Sequence, residues 1–202
     1  MAKNFASVAF TKEVKALQEK HGSRVSYERM EKRTFVDGLT ESEVDFINRR
    51  ESFYMSSIGE NGFPYIQHRG GPKGFVKIID ANTIGFIDFT GNKQYITVGN
   101  LATHNKVALI MMDYVAKSRL KIYAKAEVVE LKDRPDLFKL LNFDDYSFRP
   151  ERMMLLHIEA YDWNCPQHIT PRYTTEEIEE AFAPQREYIK KLEQEIKELK
   201  SR

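Results

Sequence analysis

Three stretches of the chain combine residue types suited to holding an anion or a flat aromatic ligand. The first is Gln67-His-Arg-Gly-Gly-Pro-Lys-Gly74, followed by Phe75-Val-Lys-Ile-Ile79. Glycines at 70, 71 and 74 let backbone approach a bulky ligand closely, while Arg69, Lys73 and Lys77 place positive charge beside it. The same residues also suit a loose glycine-rich loop with solvated lysines. The second stretch, Asp88-Phe-Thr-Gly-Asn-Lys-Gln94, lies where a strand pattern gives way to a helix pattern. Free amides at a helix start, the Lys93 ammonium and the side-chain amides of Asn92 and Gln94 make a phosphate cradle, although Thr90-Gly91-Asn92 is also ordinary turn chemistry. The third is Tyr161-Asp-Trp-Asn-Cys-Pro-Gln-His-Ile-Thr-Pro-Arg172, which holds the chain's one tryptophan and one cysteine. Its two prolines prevent a regular ladder or helix, so tertiary contacts must hold it.

Other chemistries find little support. The five histidines, at 21, 68, 104, 157 and 168, form neither an H-E-x-x-H pair nor a Cys/His ligand spacing, so no metal site is expected. There is no G-x-S-x-G elbow, no Walker loop and no G-x-G-x-x-G. Cys165 lacks an acid-base partner at a recognisable spacing, and His168 suits either proton transfer near neutral pH or a structural bond to backbone. With 31 Lys+Arg against 30 Asp+Glu the formal charge is +1, which gives no global field for nucleic acid. One cysteine excludes an internal disulfide and fits a reducing compartment. The start, MAKNFASVAFTKEVK, has no continuous apolar stretch, and the longest strongly apolar run, Val107 to Met112, is too short to span a membrane. A cytoplasmic protein without membrane or nucleic-acid partners is the expectation.

The elements that must position these stretches are legible in outline. Apolar residues are 42% of the chain and aromatics 12%, a globular, sheet-leaning composition. Thr11 before Lys12–Lys20, closed by Gly22, predicts a capped N-terminal helix, and the capping box Thr40-Glu-Ser-Glu43 opens a second over about 41–50. From Ser52 to Val129 short β-branched and aromatic runs predict six strands, Phe53–Ile58, Pro64–Arg69, Phe75–Asp80, Thr83–Phe89, Val107–Tyr114 and Leu120–Val129, at a spacing that suits a closed antiparallel barrel or a sandwich. Asn61-Gly62 predicts a tight hairpin with both turn residues at positive φ. Helices are expected over Gln94–Asn105 and Asp133–Asn142, and a further strand over Met153–Tyr161. Thr174 with Glu177 forms another capping box, Pro184 is read as an interruption, and Gln185–Arg202 carries Ile189, Leu192, Ile196 and Leu199 over two heptads. That stripe suits an amphipathic helix packed on its own domain or on a partner subunit, or a coiled coil.

The motifs HRGGP, GFVK, DFTGNKQYI, GNLATHNKVAL and DWNCPQHITPR, in this order, resemble the pyridoxamine 5'-phosphate oxidase-like flavoproteins of the FMN-binding split-barrel superfamily, over about residues 8 to 180. The resemblance implies a mainly β fold with flanking helices: a six-stranded antiparallel split barrel over 51–173, an N-terminal helical arm over 1–50 and a C-terminal amphipathic helix over 174–202. It also implies a homodimer with FMN at the subunit interface. By position, Gln67, His68, Arg69 and Gly70 fall beside the flavin, and Asp88, Phe89, Asn92, Lys93 and Gln94 at the phosphate turn, with Lys93 where the oxidases use arginine. Arg119 falls where an oxidase glutamine contacts the flavin, and Trp163, Gln167 and Arg172 in the segment donated by the second subunit. The sequence departs from the oxidases where Gly70–Gly74 intervenes before Lys77, and where the vitamin-phosphate clamp near the C-terminus is not reproduced. An FMN-dependent oxidoreductase acting on a small molecule, or a flavin-binding protein without turnover, is what the resemblance supports, with no catalytic side chain assigned.

Overall fold

The computed structural model describes residues 4–33, 37–164 and 166–201, which fall into two compact units. The first, 1–113 with 118–165, holds all seven strands, a single antiparallel sheet in the order β2-β1-β5-β6-β7-β4-β3. In chain order the strands are β1 (Ser52–Ile58), β2 (Pro64–Gly70), β3 (Lys77–Asp80), β4 (Thr83–Phe89), β5 (Lys106–Asp113), β6 (Ser118–Val129) and β7 (Pro150–Asn164). The helices are α1 (Phe5–Ala9), α2 (Lys12–Lys20), α3 (Arg24–Arg33), α4 (Glu41–Asn48), α5 (Ile96–Thr103), α6 (Pro135–Leu141) and α7 (Thr175–Lys200). No described helix is long and apolar enough to cross a membrane.

The six runs expected between Ser52 and Val129 and the further strand expected over Met153–Tyr161 thus join one seven-stranded sheet, in place of a six-stranded closed barrel, and the ends of that sheet are not hydrogen-bonded to each other. The run Met153–Tyr161 is not an appendage. It lies within β7, which pairs with β6 on one side and β4 on the other. The sheet nevertheless curls. Phe53 of β1 and Phe86 of β4 are four strand spacings apart in the sheet order, about 19 Å if it were flat, yet their ring centroids are 5.3 Å apart. Side chains, not ladder bonds, bring the two ends together.

Inside the curl, alternate residues of β1, β5 and β6 meet Ile84 and Phe86 of β4, Met154, Leu156 and Ile158 of β7, and Phe46 and Ile47 of α4. A second, smaller core lies under α6, where Leu137 and Leu141 cover Ile87, Met153 and Leu155. Strand β4 is consequently buried on both faces through Asp88, which is why Thr83–Asp88 lacks the alternation of a half-exposed strand.

Several local expectations are met and several are revised. Thr11 caps α2 through the amide of Val14, and Gly22, at φ +74°, follows its C-terminus. The β1–β2 connection runs from Gly59 to Phe63, with the Phe63 carbonyl accepting from the Gly59 amide, so of Asn61 and Gly62 only Gly62 takes a positive φ. Asn61 instead uses its side chain, accepting from the Phe63 amide at 3.1 Å. Phe75 and Val76 are buried ahead of β3, which begins only at Lys77. Helix α3 carries no apolar stripe of note and is held by polar contacts: Arg24 pairs with Glu31 at 2.7 Å, and Asn4 donates to the Glu31 carbonyl at 2.9 Å.

The second unit, 114–117 with 166–202, consists chiefly of α7. Its Thr174/Glu177 capping box forms as expected, but Pro184 does not interrupt it: one helix runs from Thr175 to Lys200. The carbonyl that Pro184 leaves without a donor belongs to Glu180, which is exposed, so water can serve it.

Candidate functional site

The first two stretches of interest meet in one cleft of about 190 Å³, lined by β2, the end of β4, the turn after it, the start of α5 and the start of β7. Alternation along β2 sends Tyr65, Gln67 and Arg69 to the cleft and Ile66, His68 and Gly70 to the opposite face. Gln67, Arg69, Asp88, Phe89, Asn92, Lys93 and Gln94 are therefore brought together. His68 packs against Tyr54, with ring centroids 5.4 Å apart, and lies outside the cleft.

Charge in the cleft is organised around Asp88, which is 4% exposed. Its Oδ1 accepts from Nη1 of Arg69, and its Oδ2 accepts from Nη1 of Arg152 at 3.0 Å. Arg152 also pairs with Glu151 at 2.9 Å, and Glu151 accepts from the Tyr95 hydroxyl at 2.6 Å. That bond holds the Glu151 carboxyl below its ordinary pKa and the Tyr95 phenol above its own. The Arg69 Nε is buried and has no hydrogen-bond partner. Gln67 is fixed by the Thr97 hydroxyl, which donates to its Oε1 at 2.8 Å and leaves the amide nitrogen as a donor.

The turn before α5 is strained. Lys93 and Tyr95 have φ of +60° and +54°, a region L-residues other than Asn and Asp seldom occupy. Asn92 accepts from the Gln94 amide at 3.1 Å, and the helix's first backbone bond runs from Gly99 to the Tyr95 carbonyl. The amides of Ile96, Thr97 and Val98 precede it at the cleft, without intrahelical acceptors. Left-handed residues in such a turn steer successive N–H groups toward one point, the geometry of an anion nest.

Arg152, Glu151, Tyr95 and Thr97 are cleft residues that sequence reasoning missed. Arg152 sits directly opposite Asp88 in the β4–β7 register, and only that register reveals the pair. In the sequence Glu151 and Arg152 stand just ahead of the apolar run that starts at Met153, with nothing to distinguish them from solvated charges.

Arg119 and Trp163 do not line this cleft. Arg119 lies early in β6 opposite Asn164, with its Nε buried and unpartnered. Trp163, at the end of β7, donates its indole N–H to Glu43 of α4 at 2.5 Å and meets the Phe46 ring edge-on at 4.8 Å. Glu43 also accepts from the Thr40 amide, so the capping box of α4 doubles as an anchor for the tryptophan. Burial works against the Glu43 charge, but the bonds from Thr40 and Trp163 outweigh it and hold its pKa below the ordinary value. Gln167 and Arg172 belong to the second unit, where the Arg172 guanidinium lies 4.8 Å over the Tyr114 ring. Cys165 lies outside the described residues.

Beside Glu43, burial and that carboxylate's charge push the Tyr161 phenol up to about 12, and its hydroxyl donates to the Gly38 carbonyl at 3.0 Å. The raised folded value means that its contribution to stability is complete below the unfolded pKa of about 10 and is lost as pH rises through about 12. A spectrophotometric titration to about pH 11 should therefore count the same number of ionised phenols in the wild type and in Tyr161→Phe. A count lower by one in the variant would show that Tyr161 titrates normally.

A curled antiparallel sheet with an arginine-rich cleft at a helix start describes a recognisable class of ligand-binding folds. The sequence profile of the pyridoxamine 5'-phosphate oxidase family matches residues 39–160, and the chain belongs to that family. Among solved structures it is similar to HupZ of Group A Streptococcus (14% identity, TM-score 0.49, covering 67% of this chain and 99% of that one). It is also similar to an FMN-binding protein from Syntrophomonas wolfei (19%, 0.44, 74% and 97%). A third similarity is to a Clostridium acetobutylicum protein related to general stress protein 26 of B. subtilis, of the pyridoxinephosphate oxidase family (17%, 0.45, 68% and 94%). Among curated proteins, none matches the chain's sequence.

Proposed function

We propose that this protein binds FMN with the phosphate in the cleft between β2 and the start of α5, and that it serves as an FMN-dependent oxidoreductase acting on a small molecule. The observation that carries the reading is the convergence of Arg69, Lys93, the amide side chains of Gln67, Asn92 and Gln94, and the first turn of α5 in one cleft. The cofactor fits these residues. Arg69 has a buried Nε without an acceptor, and the first-turn amides lack intrahelical partners. The two acids present, Asp88 and Glu151, are each engaged by arginine or tyrosine, so neither stands as a free anion against a phosphate. A single cradle without a dinucleotide fingerprint favours a mononucleotide.

When bound, FMN supplies hydride-transfer chemistry. The chain's own contribution is positioning: Lys93 and Arg69 hold the phosphate, the turn strained at Lys93 and Tyr95 aims backbone donors at it, and Gln67, fixed by Thr97, offers its amide nitrogen. The reading includes a cytoplasmic homodimer with FMN at the subunit interface, to which Trp163, Gln167 and Arg172 contribute from a second copy of the chain. The anchoring of Trp163 by Glu43 supports this, because a ring fixed on one edge and 38% exposed presents a preset surface to a ligand.

Protein mixed with FMN and passed through gel filtration should retain the flavin absorbance bands. Lys93→Glu should weaken binding by roughly 1 to 3 kcal/mol, since it replaces a charge-assisted contact by repulsion. Retained flavin with unchanged affinity in the variant would move the phosphate away from this turn. No retention by the wild type would refute the FMN reading.

A further inference from the structure

The continuity of α7 through Pro184 changes what its apolar stripe can do. Divided at the proline, the stripe spans two heptads. In a helix that is unbroken from Thr175 to Lys200, it begins at Ile178 and Phe182 and continues through Gln185 to Leu199, alternating steps of four and three. That is three heptads, with Phe182, Ile189 and Ile196 at the a positions and Ile178, Gln185, Leu192 and Leu199 at d. Pro184 falls at a c position, on the side away from the seam. The six apolar members are 38% to 67% exposed, and α7 buries none of its residues.

We propose that α7 is a dimerisation element that pairs in parallel and in register with α7 of a second copy of this chain. The choice of occupant rests on the residues of the seam and its flanks. Isoleucine at a with leucine at d, as in the last two heptads, favours two strands over three or four. In a parallel in-register pair, Gln185 meets its twin and the two amides satisfy each other, whereas a shifted register would press each amide against isoleucine or leucine. The flanks agree. Glu195 at g lies across from Lys200 at e of the other helix, and Tyr188 at g across from Glu193 at e, so no like charges oppose in this register. The pairing does not depend on FMN or on the reading of the cleft.

The test places cysteines along the helix of the full-length protein in a Cys165→Ser background and treats each variant at high protein concentration with a short bismaleimide. Leu192→Cys and Leu199→Cys, at d, should give covalent dimers on a denaturing gel. Glu187→Cys and Gln194→Cys, at f on the outer face, should give at least tenfold less. Because α7 buries no residue, these changes leave the folded sheet intact, which circular dichroism checks. Equal cross-linking at d and f, or none at d, would overturn the proposal and leave the stripe to pack on its own chain. Cross-linking of Leu199→Cys only when it is mixed with Phe182→Cys, at the other end of the seam, would show antiparallel pairing and overturn it equally.

Discussion

Asp88→Ala should destabilise the fold by about 3 to 5 kcal/mol, because it strips the shared partner from two largely buried guanidinium groups, leaving Arg69 uncompensated and Arg152 with Glu151 alone. The Arg69 and Arg152 side chains are 13% and 12% exposed, and Asp88 lies at the end of a strand that is covered on both faces. The carboxylate has a second task. β2 and β4 are five spacings apart in the sheet order, so the Arg69–Asp88 bond is one of the few polar links holding the curl together. Urea denaturation measures the loss as a lower midpoint. Asp88→Asn keeps an acceptor and should lose less. In Asp88→Ala the positive charge released at Arg69, beside Arg152, also becomes a stronger anion site, so added phosphate should raise the variant's midpoint more than the wild type's. A loss under 1 kcal/mol, with no differential effect of phosphate, would mean that water solvates the arginines and that the ion pairs do little.

What was legible in the sequence is what local chemistry decides. The caps at Thr11, Thr40 and Thr174 are satisfied within four residues of themselves, so the starts of α2, α4 and α7 are readable without a fold. The strand runs are visible for the same reason. What was not legible depends on partners far along the chain. β7 reads as a strand apart from the other six until both of its neighbours, β6 and β4, are known, and the six-stranded barrel gives way to one seven-stranded sheet with it. Arg152 acquires meaning only opposite Asp88, 64 residues away. His68 and Arg69 are adjacent, yet the pleat sends them to opposite faces, and the resemblance that named both does not separate them. Pro184 reads as a break because proline usually is one. An exposed helix in which water reaches the orphaned Glu180 carbonyl bears it at a cost of about 3 kcal/mol, which a long helix can offset along its length.

Phe86→Ala should cost about 3 to 5 kcal/mol, the effect expected of an aromatic side chain deleted from a filled interior. Phe86 is 1% exposed and sits where the curl closes. Its ring is edge-on to Phe53 at 5.3 Å and to Phe75 at 6.2 Å, and Phe53 and Phe75 stack at 5.7 Å, so three rings from β1, β4 and the segment before β3 form one cluster. The Arg69 guanidinium lies 6.0 Å from the same ring, on the side of the cleft. The ring therefore does two things: it fills the gap between the sheet's ends, and it backs the arginine that Asp88 holds. Removing it leaves a cavity that the surrounding strands cannot close, because each is fixed by its own ladder, and it loosens the wall behind Arg69. Phe86→Leu keeps most of the volume and should cost clearly less. The pair Phe86→Ala and Asp88→Ala tests the connection directly. If the ring and the carboxylate both act by fixing Arg69, the double variant should lose less than the sum of the single losses by about 0.5 to 3 kcal/mol. Strict additivity would show that the aromatic cluster and the ion-pair cluster hold the curl independently.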